Sequence, residues 1–137
     1  MNIGWADRTI CALTAVCEET DSEARNWIIH TIFNRAAFNP ARFGSTPGAV
    51  CMKRYQFSEY LPDGGDNANV ERALALPADS KDVADALATY DMVASGEIDP
   101  TGSATHFYSD SIPAPSWTIG ATCTGRKGSA LFFTNVK

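Results

Sequence analysis

Ile10, Leu13 and Cys17 recur at i, i+3 and i+7, with Val16 beside them, and this spacing predicts an amphipathic helix over residues 5–18. A second helical period runs through Ala24, Trp27, Ile28, Thr31, Ile32 and Arg35. Thr20 and Glu23 have the T-x-x-E spacing of a capping box, which opens that helix at about residue 21. The Pro- and Gly-rich stretch FNPARFGSTPG ends it near Ala37. A short helix is expected from Pro47 to Met52. The irregular, aromatic RYQFSEYLPDGGDNAN follows, and then a helical segment from about Asn69 to Leu76, stopped by Pro77. The clearest later helix runs from about Ser80 to Ser95, with Val83, Ala84, Leu87, Tyr90, Val93 and Ala94 as its apolar face and Gly96 as its stop.

After Pro100 the period changes. ATHFYSDS, PSWTIGATCT and ALFFTNV are short, aromatic or β-branched, and separated by Gly and Pro, so they read as two or three strands. The pattern therefore predicts an α+β chain, mostly helical, with a small antiparallel sheet in the C-terminal third. No internal repeat or low-complexity linker interrupts it.

Composition narrows the function classes. A length of 137 residues fits a single domain, 1–137. The net charge of −5 gives no basic footprint for nucleic acid and argues against steering toward an anionic membrane. No stretch approaches the roughly 18 apolar residues that span a bilayer. The N-terminal apolar run has no basic region ahead of it, and Asp7 and Arg8 directly precede it. It is expected to be a mature N-terminus rather than a signal peptide, which places the chain in the cytosol.

Of the cysteines Cys11, Cys17, Cys51 and Cys123, none forms a CxxC pair, so no structural zinc site is expected. In a reducing compartment all four are expected as free thiols, some buried. A Cys51–Cys123 bridge is the alternative outside the cell. His30 and His106 are too few for a metal site, and His30 is expected to be structural.

The stretch CEETDSEAR, residues 17–25, sets four acidic residues and one arginine between two apolar segments. It is either a solvated turn or a place where one carboxyl is held against apolar walls. Glu18 and Glu19 fall at the end of the first helix, and Glu23 is accounted for as the capping partner of Thr20.

The order of these patterns resembles the cell wall hydrolase family of the spore-cortex-lytic enzyme type, whose phage members act as endolysins. The resemblance is carried by an acid-ending first helix, IFNR closing the second helix, QFS, and DPTGSATHFY followed by a P-x-W triplet. It implies a lysozyme- or lytic-transglycosylase-like fold. It also implies cleavage of the glycan strand of peptidoglycan with one glutamate and no cofactor or metal. The catalytic glutamate falls on Glu18. The connection after it is about two residues shorter than the family's, which leaves Glu19 as a rival. Gln56, Ser58, Thr105, His106 and Tyr108 fall on positions expected to line the glycan groove. A monomeric endolysin is implied, held in the host cytoplasm until release to the periplasm and suited to a thin wall.

The chemistry asks for a neutral carboxyl. A glutamate with a pKa near 4.3 is ionised at neutral pH, and raising it by two to three units takes roughly 3–4 kcal/mol. Burial can supply that, whereas a helix C-terminus contributes only about 0.3–1 kcal/mol. A hydrolase usually needs a second carboxylate across the sugar. Glu19, Asp21 and Glu23 are too near in sequence, which leaves Asp99, Glu59 and Asp110. Two other classes stay open: a cysteine peptidase using Cys17 or Cys51 with His106, and a non-catalytic glycan-binding module. Tyr55, Phe57 and Tyr60 suit either a core or a sugar platform.

Overall fold

The computed structural model describes residues 4–53 and 67–137. Helix α1 spans Trp5–Glu18 and α2 spans Ser22–Phe38; the short α3, Pro40–Phe43, and α4, Pro47–Met52, follow. Then come α5, Asn67–Leu74, and α6, Lys81–Ala94. The strands are β1, His106–Ser109, β2, Thr122–Lys127, and β3, Ala130–Thr134. The expected mostly helical α+β plan with a small antiparallel sheet is the one found.

Helix α2 is the axis of the fold. Ala24, Ile28, Ile29 and Ile32 are fully buried, and so are Arg25, His30, Thr31 and Arg35 on its other faces. A helix covered on nearly every side cannot keep a clean apolar stripe. Its buried polar residues must therefore find partners inside the protein. Helices α1, α4 and α6 pack around it, and the sheet closes the remaining side through Phe132, whose ring meets Trp27 at 5.2 Å and Phe107 at 5.7 Å.

Three expectations need correction here. The α2 cap is Asp21, whose side chain accepts from the Ala24 N–H at 2.8 Å. An aspartate directly before the helix reaches that amide as well as Thr20 would from one residue further out. Glu23 instead meets Lys127 at 2.8 Å. On α6 the buried residues are Ala86, Thr89, Tyr90 and Val93, while Ala84 and Ala94 are exposed. PSWTIGATCT is not one strand: Ser116–Thr118 form a 3-10 turn, and extended pairing starts at Thr122.

Among the described residues the sheet order is β1-β3-β2, antiparallel throughout. His106 lies opposite Phe133, and Phe107 opposite Phe132. Side chains alternate along a strand. Phe107 and Phe132 therefore enter the core, while His106, Tyr108 and Phe133 share the other face. Cys11, Cys17 and Cys51 are buried free thiols and Cys123 is exposed, so Cys51 and Cys123 form no bridge.

Candidate active site

The α1–α2 turn is built by arginines. Arg25, 2% exposed, donates through Nε to the Glu19 carbonyl at 2.9 Å and through Nη2 to the Thr20 carbonyl at 2.6 Å. Its remaining donors reach Asp82 and Asp85 at the start of α6. Arg72 of α5 donates to the Val16 carbonyl at 2.7 Å and lies 3.3 Å from that of Cys17. The open carbonyls at this helix end are thus met by cations, which offsets the negative end of the helix dipole.

The carboxylates of the turn then divide. Glu19 accepts from the N–H groups of Thr20 and Asp21 through Oε1, and from Ser129 through Oε2 at 2.7 Å. Its two oxygens tie the turn to the β2–β3 hairpin. Asp21 caps α2 and Glu23 meets Lys127. Glu18 is the last residue of α1 and is partly buried. It lies within electrostatic reach of Arg35, whose guanidinium is pulled down to about 10 by burial, with Glu18 and Cys51 acting the other way.

Arg35 joins this turn to the sheet. It is 5% exposed, donates through Nε to the Thr105 carbonyl, and lies 5.6 Å from the Phe43 ring centroid. Thr105 also bonds His106, Oγ1 to Nδ1, at 2.9 Å. The His106 ring sits 5.8 Å from Phe43 and 5.0 Å from Trp117. Burial, with Arg35 and Arg42 nearby, pulls its pKa down to about 4, so the imidazole is neutral at pH 7. Tyr108 stacks on Phe133 at 5.8 Å, and Trp117 stands edge-on to both. Thr105, His106 and Tyr108 are thus brought together, with Arg35 between them and Glu18. Gln56 and Ser58 lie outside the described residues, as do Tyr55, Phe57 and Tyr60.

The segment before β1 is knotted onto α2. Asp99 Oδ1 accepts from the Thr101 N–H at 2.8 Å and its hydroxyl at 2.6 Å. Asp99 Oδ2 accepts from the Ser103 N–H at 3.1 Å and from Asn34 Nδ2 at 3.0 Å. Asn34 Nδ2 also donates to the Ala104 carbonyl at 2.9 Å. Burial alone would push the Asp99 carboxyl up, but these bonds outweigh it and hold it below its ordinary value. His30 bonds Glu97 at 2.7 Å beside this knot, the structural role expected for it.

Asn34 and Arg35, the last two letters of IFNR, thus grip the start and the end of DPTGSAT. In the folded chain the two motifs are held to each other by these bonds. Residues 20–133 match the sequence model of a family described as Cell Wall Hydrolase.

The chain belongs to the cell wall hydrolase family. No curated protein sequence matches it. Its fold is similar to that of the catalytic domain of the SleB protein of Bacillus cereus, with a TM-score of 0.65 at 14% identity, over 97% of this chain and 93% of that one. At this identity the likeness is one of fold. Membership supports an enzyme acting on peptidoglycan. Glu18 stands two positions before the matched span.

Arg25, Arg35, Arg72 and Trp117 were given no role from sequence. Arg35 carried a signal, being a cation on a buried helical stripe, which must find acceptors. Arg72 carried none. A cleft of about 350 Å³ adjoins the site; Thr105 lines it, but Glu18, His106 and Tyr108 do not.

Proposed function

We propose that this cell wall hydrolase cleaves the bond between N-acetylmuramic acid and N-acetylglucosamine as a lytic transglycosylase, with Glu18 as acid and then base. The observation that carries this reading is the position of Glu18, partly buried at the end of α1 and within electrostatic reach of Arg35, which donates to the Thr105 carbonyl beside His106. Glu19 is held by two backbone amides and Ser129, Asp21 by its cap, and Glu23 by Lys127.

A protonated Glu18 gives its proton to the bridging oxygen as the C1–O bond breaks. The resulting carboxylate takes the proton of the muramic C6 hydroxyl, whose oxygen closes on C1 to form a 1,6-anhydro ring. Both protons are accounted for and no water is consumed. Arg35 favours the anionic form, which is the form the second half uses. A sugar laid against Glu18 excludes water, which favours the acid form that the first half uses.

A hydrolytic route would call for a second carboxylate across the sugar. Of the three candidates, Glu59 lies outside the described residues, Asp99 is bound into its loop and Asp110 pairs with Arg126, and the engagement of these last two favours the single-acid route. The test is Glu18→Gln, which keeps volume and removes the proton donor. Clearing of peptidoglycan suspensions is expected to fall by about 10³-fold or more, in the range of lost acid–base catalysis, with binding retained. Mass spectrometry of the products from the unmodified protein is expected to show anhydro ends, lighter by one water than hydrolysed ends. Hydrolysed ends would overturn the transglycosylase assignment, and a fully active Glu18→Gln would overturn the acid.

A further inference from the structure

The cleft of about 350 Å³ beside Thr105 lies between the end of α2, the Asp99 loop and the end of β3. Its polar lining comes from Asn34, Ser103, Thr105, Thr134 and Asn135, and among the described residues no charged side chain lines it. Phe38, the last residue of α2, stands at its wall with 73% of its surface exposed. An aromatic face beside neutral amides and hydroxyls suits a polar, uncharged ligand that also has an apolar face. A sugar ring meets that description, and the charged stem peptide of peptidoglycan does not.

The walls are fixed in advance. Ser103 and Asn135, at φ 64° and 57°, are the non-glycine residues in the left-handed region among the described residues, and both line this cleft. Such a backbone costs on the order of 1 kcal/mol per residue and persists only where its surroundings hold it. The Ser103 N–H is held by Asp99 at 3.1 Å, and Asn135 Nδ2 by the Thr122 hydroxyl at 3.2 Å. The volume falls in the range of small-ligand sites. Thr105 belongs both to this cleft and to the cluster with His106 and Arg35.

We propose that this cleft is a distal saccharide subsite, which takes a neutral N-acetylated sugar of the same glycan strand whose cleavage is assigned to Glu18, with Phe38 as the stacking platform. This rests on the function proposed above. It predicts a dependence on strand length, because a short fragment fills the cleavage site without reaching Phe38.

The test compares the unmodified protein with Phe38→Ala on peptide-free glycan strands, long and short. Phe38 is exposed, so the variant is expected to keep its melting temperature. On long strands KM is expected to rise about tenfold, equivalent to about 1.4 kcal/mol, with kcat unchanged; on the shortest cleaved fragment neither changes. A separate titration of Glu18→Gln with N-acetylglucosamine tetramer, followed by NMR, is expected to shift the Asn135 side-chain amide and to weaken when Phe38→Ala is added. Equal KM on long strands, or a tetramer that leaves Asn135 unmoved, overturns the subsite. If the unmodified protein releases no glycan fragments, the functional reading fails instead, and the tetramer titration still judges the cleft.

Discussion

Ser129 donates its hydroxyl to Glu19 Oε2 at 2.7 Å, across 110 positions of sequence, and with the Thr20 and Asp21 amides it leaves Glu19 a structural acid. Glu19→Gln is therefore expected to lower stability by about 1–2 kcal/mol, the scale of a lost charge-assisted hydrogen bond. Glycan cleavage by the folded variant should stay within about threefold of the parent, since one lost contact away from the reacting atoms changes the barrier little. Glu18→Gln should show the opposite pattern. Paired denaturation and turbidity assays separate them, and a dead but stable Glu19→Gln would reverse the roles of the two glutamates.

The Asp99 knot carries an acid sensitivity. Its carboxyl is held below its ordinary value, so the unfolded chain takes up the proton first as pH falls. The stabilisation is fully present above about pH 4 and is lost below it, as pH drops through the folded pKa. Asp99→Asn is expected to be less stable at pH 7 by about 1–3 kcal/mol, the cost of weakening several partly buried bonds. Urea unfolding at pH 7 and pH 3 should show that gap narrowing in acid. A gap of constant size would mean that the charge of Asp99 does not matter.

His106 acts in a different window. Its folded pKa of about 4 lies below the usual value of 6.5, so the unfolded state binds the extra proton between those limits. Stability should fall as pH drops from about 6.5 toward 4 on this account. His106→Gln cannot titrate there and should give a flatter curve. Denaturation midpoints at pH 7, 6 and 5 check this, and parallel curves would count against the burial of the ring.

Two glycines separate steric from conformational cost. Gly44 has φ +122°, and a Cβ there would meet the Val50 nitrogen at 2.8 Å and the Ala49 carbonyl carbon at 2.9 Å. Both are backbone atoms of α4 and cannot swing aside. Gly96 has φ +106° with nothing within 4 Å of such a Cβ. Gly96→Ala is expected to cost about 1–2 kcal/mol through conformation alone, and Gly44→Ala clearly more. Calorimetric melting of both variants gives the comparison; equal losses would show that α4 shifts to make room.

The spans of α1 and α4, the α2 stripe and the stop at Gly96 were all legible in the chain, because periodicity, proline and glycine act over a few residues. The family resemblance was legible too, since IFNR and DPTGSATHFY are contiguous strings. What tertiary structure alone decided was which charged group meets which. Arg72 closing the end of α1, Ser129 occupying Glu19, and Asn34 gripping Asp99 join positions 56, 110 and 65 residues apart. No local period encodes such distances. The two polar glutamates at the end of α1 look alike in sequence. In the folded chain a hydroxyl and two amides converge on Glu19, and that convergence exists only when the hairpin packs against the turn.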